Sequence, residues 1–150
     1  MSADPRSRVE RRRDTERRLA RDIDVWVASA SADGAPYLVP LSFDWDGEAL
    51  LMATPTDSPT GRNLAAGRTV RLGLGDTRDV SMIEGDVEVL EIDALSQERG
   101  DRFVAHAGFD PRTLATPYRW FRISPRRIQA WREVNELPDR ELMRDGRWLV

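Results

Sequence analysis

The chain contains no cysteine, no lysine and a single histidine, His106, among its 150 residues. Each absence removes a class of chemistry. Without cysteine there is no disulfide framework, thiolate nucleophile, iron–sulfur cluster or cysteine zinc site. All 23 basic residues are arginine, so neither a Schiff-base lysine nor a phosphate-loop lysine is available. One histidine cannot build a multi-histidine metal centre, so no metal site is expected, and a Ser/His/Asp triad would have to run through His106 alone. An enzyme so equipped borrows its reactive group from a cofactor. Long apolar runs are missing too: none approaches the ~20 residues of a membrane span, and Met1 to Ile23 has no apolar core of a secretion signal. A soluble, cytoplasmic protein without a membrane partner is the expectation. The net charge of −3 gives no global attraction to nucleic acid.

What is present reads as one globular unit. Charged residues at 33% and hydrophobic ones at 40% give the balance of a folded rather than a disordered chain. A chain of this length buries roughly 68–70% of its unfolded surface, enough for one core. Residues 1–23 form an arginine-rich segment of good helix formers. Through residue 22 it carries eight arginines and five acids, with opposite charges at helical spacing such as Asp14 with Arg17 and Arg18. The interleaved acids cancel most of the field a nucleic-acid arm needs, so the expectation is a solvated helix packed through Val9, Leu19 and Ile23.

Residues 24–150 read as a single β domain. Val25 to Ser31 is a β-prone run ended by the turn signal Asp33-Gly34. Tyr37, Val39, Leu41, Phe43 and Trp45 recur with period two along a second strand. Asp46-Gly47 turns into a third strand, Glu48 to Thr54, completing an antiparallel meander. A short helix, Thr60 to Ala66, follows, with Gly67 as its stop. Thr69 to Gly75 and Val80 to Ile92 are strands four and five. Gly85 inside the latter predicts a bulge or a close backbone approach. Ser96 to Ala107 is a helix with Ser96 as N-cap and Gly108 as stop. Two further strands, Tyr118 to Ile123 and Arg127 to Trp131, flank Ser124-Pro125, and Glu141 to Val150 predicts a last hairpin around Asp145-Gly146. Six or more antiparallel strands must close or be covered, which points to a small barrel capped by short helices.

Few side chains suggest chemistry. His106 lies near a helix C-terminus, where a structural role suffices. The pairs Asp44/Asp46 and Glu84/Asp86 have i, i+2 spacing, and the first flanks a turn that favours aspartate anyway. Ser58-Pro-Thr-Gly-Arg-Asn-Leu64 places hydroxyls, an arginine and an amide at a helix start, the setting of a phosphate site and equally of an ordinary cap. Trp131, at a strand end, suits stacking on a flat ligand or filling a core.

Taken together, Trp26 to Gly34, Ala35 to Phe43, Leu50 to Thr54, Ser58 to Leu64, Thr69 to Leu72 and Phe121 to Trp131 resemble the pyridoxamine 5′-phosphate oxidase-like family, the flavin- and deazaflavin-binding split β-barrels. The resemblance implies a mainly β, Greek-key-like split barrel and a homodimer holding FMN, or alternatively the deazaflavin F420, at the subunit interface. It implies that the ring rests on backbone near Val39, Pro40, Leu41 and Ser42 with Thr54 close by, and that Ser58, Thr60, Arg62 and Asn63 meet the phosphate. Trp131 and Arg140 would approach from the C-terminal part, of the same subunit or of the partner.

The chain departs from the family pattern at three places. Thr60 stands where relatives often carry a phosphate-binding lysine, which loses a charge-assisted contact. Glu136-Leu-Pro-Asp-Arg140 stands where true oxidases of this family resemble Arg-Leu-His-Asp-Arg, and an acid cannot replace an arginine beside a phosphorylated substrate. The interval from Trp131 to this pentapeptide is one residue shorter. Vitamin B6 phosphate oxidation is therefore not expected. The expected function is hydride transfer between FMN or F420 and a small organic substrate. No catalytic residue is identified; Arg78 and Tyr118 are the candidates for a proton donor. The alternative is a non-enzymatic module on the same barrel that stores or senses a flavin, haem or other planar ligand.

Overall fold

The structure is a computed structural model and describes residues 3–150. Helix α1 spans Arg8–Arg21, and strands β1 (Asp24–Ala30), β2 (Pro36–Trp45) and β3 (Leu50–Pro55) follow as a meander. Helix α2 (Pro59–Gly67) carries the chain across to β4 (Thr69–Asp76), which pairs with β1 rather than with β3. The spatial order β4-β1-β2-β3 is a Greek key. Strand β5 (Asp79–Glu91), helix α3 (Gln97–Ala107) and strand β6 (Tyr118–Trp131) come next, and the short β7 (Glu141–Arg144) and β8 (Arg147–Trp148) extend the sheet beyond β6.

Pairing of β3 with β6, from Leu50 opposite Ile123 to Pro55 opposite Tyr118, joins the ends of the sheet. The result is a closed six-stranded antiparallel barrel with two added strands, which leaves few free edges. The inward set follows the alternation in the sequence: Val25 and Val27, Val70, Leu72 and Leu74, and Ile83 and Val87 line one core. Strand β3 is buried on both faces. Leu50 and Met52 enter the barrel, while Leu51 and Ala53 lie with Phe103 of α3 and Trp120 in a second cluster. There Phe103 meets the Trp120 ring edge-on at 5.1 Å, holding α3 against the barrel wall.

Four local expectations need correction or refinement. The two strands flanking Ser124-Pro125 are one 14-residue strand. Its pairing with β5 shifts register at Glu84/Gly85, so Pro125, which cannot donate to a ladder, falls opposite Gly85 at the bulge. A Cβ at Gly85 would lie 2.5 Å from Ile123 Cγ2, so both readings of that glycine apply. Helix α2 begins at Pro59 and is capped at its C-end by Arg68 with φ 60, one residue past Gly67. Helix α1 does not pack through Val9 and Ile23, which are 66% and 47% exposed. It packs through Arg11, Thr15 and Leu19, because the barrel beneath it offers polar partners: Thr15 Oγ1 lies 2.7 Å from Ser81 Oγ, and Arg11 reaches two backbone carbonyls.

Candidate functional site

The closed barrel is split along a seam over part of one ladder, between β2 and β3. Residues Pro36 to Ser42 of β2 pair with β1, but β3 pairs with β2 only over Phe43, Asp44 and Trp45 before it diverges toward β6. Among the described residues, the other edge of β2 over Val39, Pro40, Leu41 and Ser42 therefore has no strand partner. Val39 and Leu41 rest half-buried against the core, Pro40 is exposed, and the Ser42 hydroxyl donates to Asp24 Oδ1 at 2.8 Å. Across the seam lies the end of β3, with Thr54 buried and its Oγ1 3.3 Å from Ser58 Oγ. Helix α2 contacts β1, β2 and β3, and Asn63 Nδ2 donates to Ser29 Oγ of β1 at 3.1 Å. Nine of the eleven predicted site residues, from Val39 to Asn63, thus sit on elements that meet at one mouth.

The polar groups at the start of α2 are largely engaged within the turn itself. Ser58 Oγ accepts from Gly61 N at 3.0 Å and donates to the Pro55 carbonyl at 2.7 Å, so this hydroxyl is the cap. Pro59, at the first helical position, has no N–H to offer. Arg62 N bonds back to the Ser58 carbonyl. Among the described residues, the Thr60 N–H is the donor of this turn left for an anion. The Thr60 side chain is itself buried. The Arg62 side chain is exposed and bonds to the Asp57 carbonyl, leaving a positive charge beside this turn. Gly61 allows the tight fold of α2 onto β3, since a Cβ there would lie 2.3 Å from the Pro55 carbonyl oxygen.

Trp131 and Arg140 lie elsewhere. Tyr118, at the start of β6, is opposite Pro55 beside α2, whereas Trp131, at its end, is opposite Val80. Gln129, two residues before Trp131, continues the cross-strand row of Pro40, Trp26, Gly73 and Met82, so four ladders, about 19 Å around the barrel wall at ~4.8 Å per strand, lie between the seam strand and the end of β6. Trp131 and Arg140 do come together, with the guanidinium carbon 5.7 Å from the ring centroid. Ala130 N donates to the Arg140 carbonyl at 3.0 Å, closing the base of the loop between β6 and β7.

That loop is held by a buried ion cluster that short-range sequence patterns do not reveal. Glu136, 2% exposed, accepts from Arg6 N at 2.8 Å, Arg6 Nε at 3.0 Å, Arg6 Nη2 at 2.8 Å and Arg132 N at 2.8 Å. Burial alone would raise its pKa. The hydrogen bonds from the Arg6 side chain and from backbone N–H groups outweigh that and hold it at about 2. Arg6 also pairs with Asp14 at 3.0 Å and Asp79 at 3.3 Å. Glu136 is thus an internal tie to the N-terminal segment.

The remaining sequence candidates have structural partners. Asp44 is buried and paired with Arg99 at 2.7 Å and Arg102 at 3.3 Å, while Asp46 caps its own turn by accepting from Glu48 N and Ala49 N. Glu84 bridges Arg71 and Arg127, and Asp86 faces Arg126. His106 donates from Nε2 to the Asp22 carbonyl at 2.8 Å. Arg78 lies in the exposed β4–β5 turn, at the Trp131 end. Tyr118 is near the mouth, lining a cleft of about 360 Å³ with Thr56 and Arg119. Among the described residues no group of acidic, histidine or cysteine side chains is placed to hold a metal ion, and no helix is long and apolar enough to cross a membrane.

On the outer face, Pro40, Trp26, Gly73 and Met82 are cross-strand neighbours in one row over β2, β1, β4 and β5. With Leu38 beside them, they leave an exposed apolar stripe in which Trp26 is 50% and Leu38 61% accessible.

Solved structures share this fold at low identity. An F420 reductase aligns at 23% identity over 75% of this chain and 94% of its own, with a TM-score of 0.60. HupZ of Group A Streptococcus aligns at 18% over 79% and 94%, with a TM-score of 0.59. General Stress Protein 26 from Bacillus anthracis str. Sterne aligns at 18% over 81% and 92%, with a TM-score of 0.55. Identities this low speak to fold alone. No curated protein matches the chain. The family model for pyridoxamine 5′-phosphate oxidase, however, matches residues 15–132, well over half of the sequence, and the chain belongs to the pyridoxamine 5′-phosphate oxidase-like family.

Proposed function

We propose that the protein is a flavin- or deazaflavin-dependent oxidoreductase moving a hydride between FMN or F420 and a small organic substrate. The observation that supports this best is the seam: a strand edge without a partner over Val39 to Ser42, facing Thr54 and the start of α2. Backbone groups along such an edge suit the polar rim of a flat ring, and half-buried Val39 and Leu41 suit its face. The Thr60 N–H, Arg62 and Asn63 are the donors available to the anionic tail. When bound, the ring supplies the two-electron chemistry that a chain without cysteine or lysine lacks. The chain's own part is to bind and orient the ring and keep water from it. Glu136 is committed to Arg6, which agrees with a substrate other than a vitamin B6 phosphate.

Trp131 and Arg140 are too far from the seam of their own subunit to complete it, so in this reading they serve the seam of a second copy. The apolar stripe of Trp26, Leu38, Pro40 and Met82 is the surface suited to that contact. Anaerobic assay of the purified protein with chemically reduced FMN or F420 and a panel of small acceptors tests the activity: cofactor reoxidised faster with protein than without, as its hydride passes to the acceptor, supports it, and equal rates with every acceptor contradict it.

A second reading is a module that holds the same cofactor without turnover. The sparse donor set at α2 favours it, with Pro59 at the first position, Ser58 engaged and Thr60 buried. Cofactor that binds but is neither reduced nor reoxidised by any acceptor would select this reading.

A further inference from the structure

We infer that the N-terminal arginine segment is a positioning device for the Trp131–Arg140 loop, with Arg6 and Arg11 setting the geometry that this loop presents to a bound cofactor. The functional half of this inference rests on the reading given under Proposed function; the mechanical half stands on contacts within one chain.

The loop leaves β6 at Trp131 and re-enters the sheet at Glu141. Between these points it makes one short 3-10 turn, Val134–Glu136, which has no side-chain cap. Left to itself a segment of this kind is mobile. Here one side chain ties its start to its middle: Arg11 Nη1 donates to the Ala130 carbonyl at 3.2 Å and to the Glu136 carbonyl at 2.9 Å. Its middle is gripped by Arg6, whose guanidinium and backbone N–H close on the Glu136 carboxylate. Asn135 Nδ2 adds a bond to the Ala3 carbonyl at 2.9 Å. A planar guanidinium engaging a carboxylate through two nitrogens fixes orientation as well as distance, which a lysine could not do. Buried ion pairs often contribute little net stability against an apolar substitute, and in some proteins they select one conformation. The Arg140–Trp131 stack sits at the base of the loop thus fixed.

This gives the arginines of the N-terminal segment a division of labour. Arg13, Arg17 and Arg21 point to solvent, at 61%, 59% and 70% side-chain exposure. Arg6 and Arg11, both at most 9% exposed, act on the loop. Arg6 and Arg11 are positioning residues: they touch neither ring nor substrate, and act through Trp131 and Arg140.

The test uses the full chain carrying Arg6→Met, Arg11→Met or Glu136→Gln, with Phe103→Leu as a control that weakens the distant second cluster. Amide hydrogen exchange is followed over residues 131–140 without cofactor, together with Trp131 emission against a Trp131→Phe reference. The expected result is about tenfold faster exchange in that loop and altered Trp131 emission in the three clamp variants, and neither in the control. Unchanged loop exchange and emission in Arg6→Met and Arg11→Met would overturn the inference. FMN and F420 titrations of the same variants then read the functional half. Weakened binding with an altered spectrum of bound cofactor supports it, and wild-type binding despite a loosened loop overturns it. A wild-type chain that binds neither cofactor, with the loop loosened as expected, contradicts the proposed function while leaving the mechanical half intact.

Discussion

The two parts of the candidate site are built in opposite ways. The seam is assembled from near neighbours: β2, β3 and α2 follow one another in the chain, and the α2 start is capped by its own Ser58, three residues from the amide it meets. The Trp131–Arg140 loop is held from a distance, by contacts spanning 130 residues from Arg6 and 119 to 125 from Arg11. The seam's polar groups are partly exposed and few; those of the loop are buried and engaged several at a time. A ligand can therefore compete for the groups of the seam but not for those of the clamp. The first is a place to bind, the second a means of shaping what is presented.

Breaking the clamp should cost the most. Glu136→Ala leaves the buried Arg6 guanidinium without its main partner and is expected to lower unfolding free energy by about 3 kcal/mol or more in a urea titration. A loss under 1 kcal/mol would mean that Asp14 and Asp79 suffice for Arg6. Acid probes the same contact. The pKa of Glu136 is depressed to about 2 from 4.5, so its contribution, roughly 3 kcal/mol, is fully present above pH ~4.5 and is lost as pH falls toward 2. Thermal melts between pH 5 and 2 should show this loss, and Glu136→Gln should flatten the slope. At the seam the effects are smaller. Gly61→Ala places a methyl against the Pro55 carbonyl and should cost about 1–3 kcal/mol, with exchange rising in α2 and staying unchanged over residues 131–140. Arg62→Ala should leave stability within about 0.5 kcal/mol, since the side chain is exposed. It should weaken FMN or F420 binding about tenfold through loss of a charged hydrogen bond. Seam variants that loosen the loop, or clamp variants that loosen α2, would erase the distinction.

The same contrast explains what the sequence made legible. Alternation along β1, β2 and β4, the Ser96 cap and the Gly108 stop each depend on residues within a few positions, and the structure has them where those patterns put them. Barrel closure needed the pairing of β3 with β6, whose alternation says nothing of which strand lies opposite. The proline at 125 read as a break because prolines seldom lie inside strands; a bulge opposite Gly85 accommodates it. Charge spacing made α1 legible as a helix, while its buried face was assigned to Val9, Leu19 and Ile23, of which Leu19 alone is buried. Apolar residues are the usual guide to a buried face, and here Arg11 and Thr15 were buried by partners from β5 and the β6–β7 loop. Glu136 was legible only as a departure from a family pattern; that its partner was Arg6 had no local signal.

The central claim, a cofactor seam completed by the loop of a second copy, is tested most directly by mixing subunits. One variant carries Arg62→Glu at the seam and the other Trp131→Ala with Arg140→Ala in the loop, and each alone should bind FMN or F420 poorly. Unfolded together in equal amounts and refolded, they form mixed dimers in which one of the two sites is intact. Equilibrium titration should then recover wild-type affinity at about a quarter of all sites, the statistical share. No recovery from two variants that each fail alone would contradict the account, as would undiminished binding by either one.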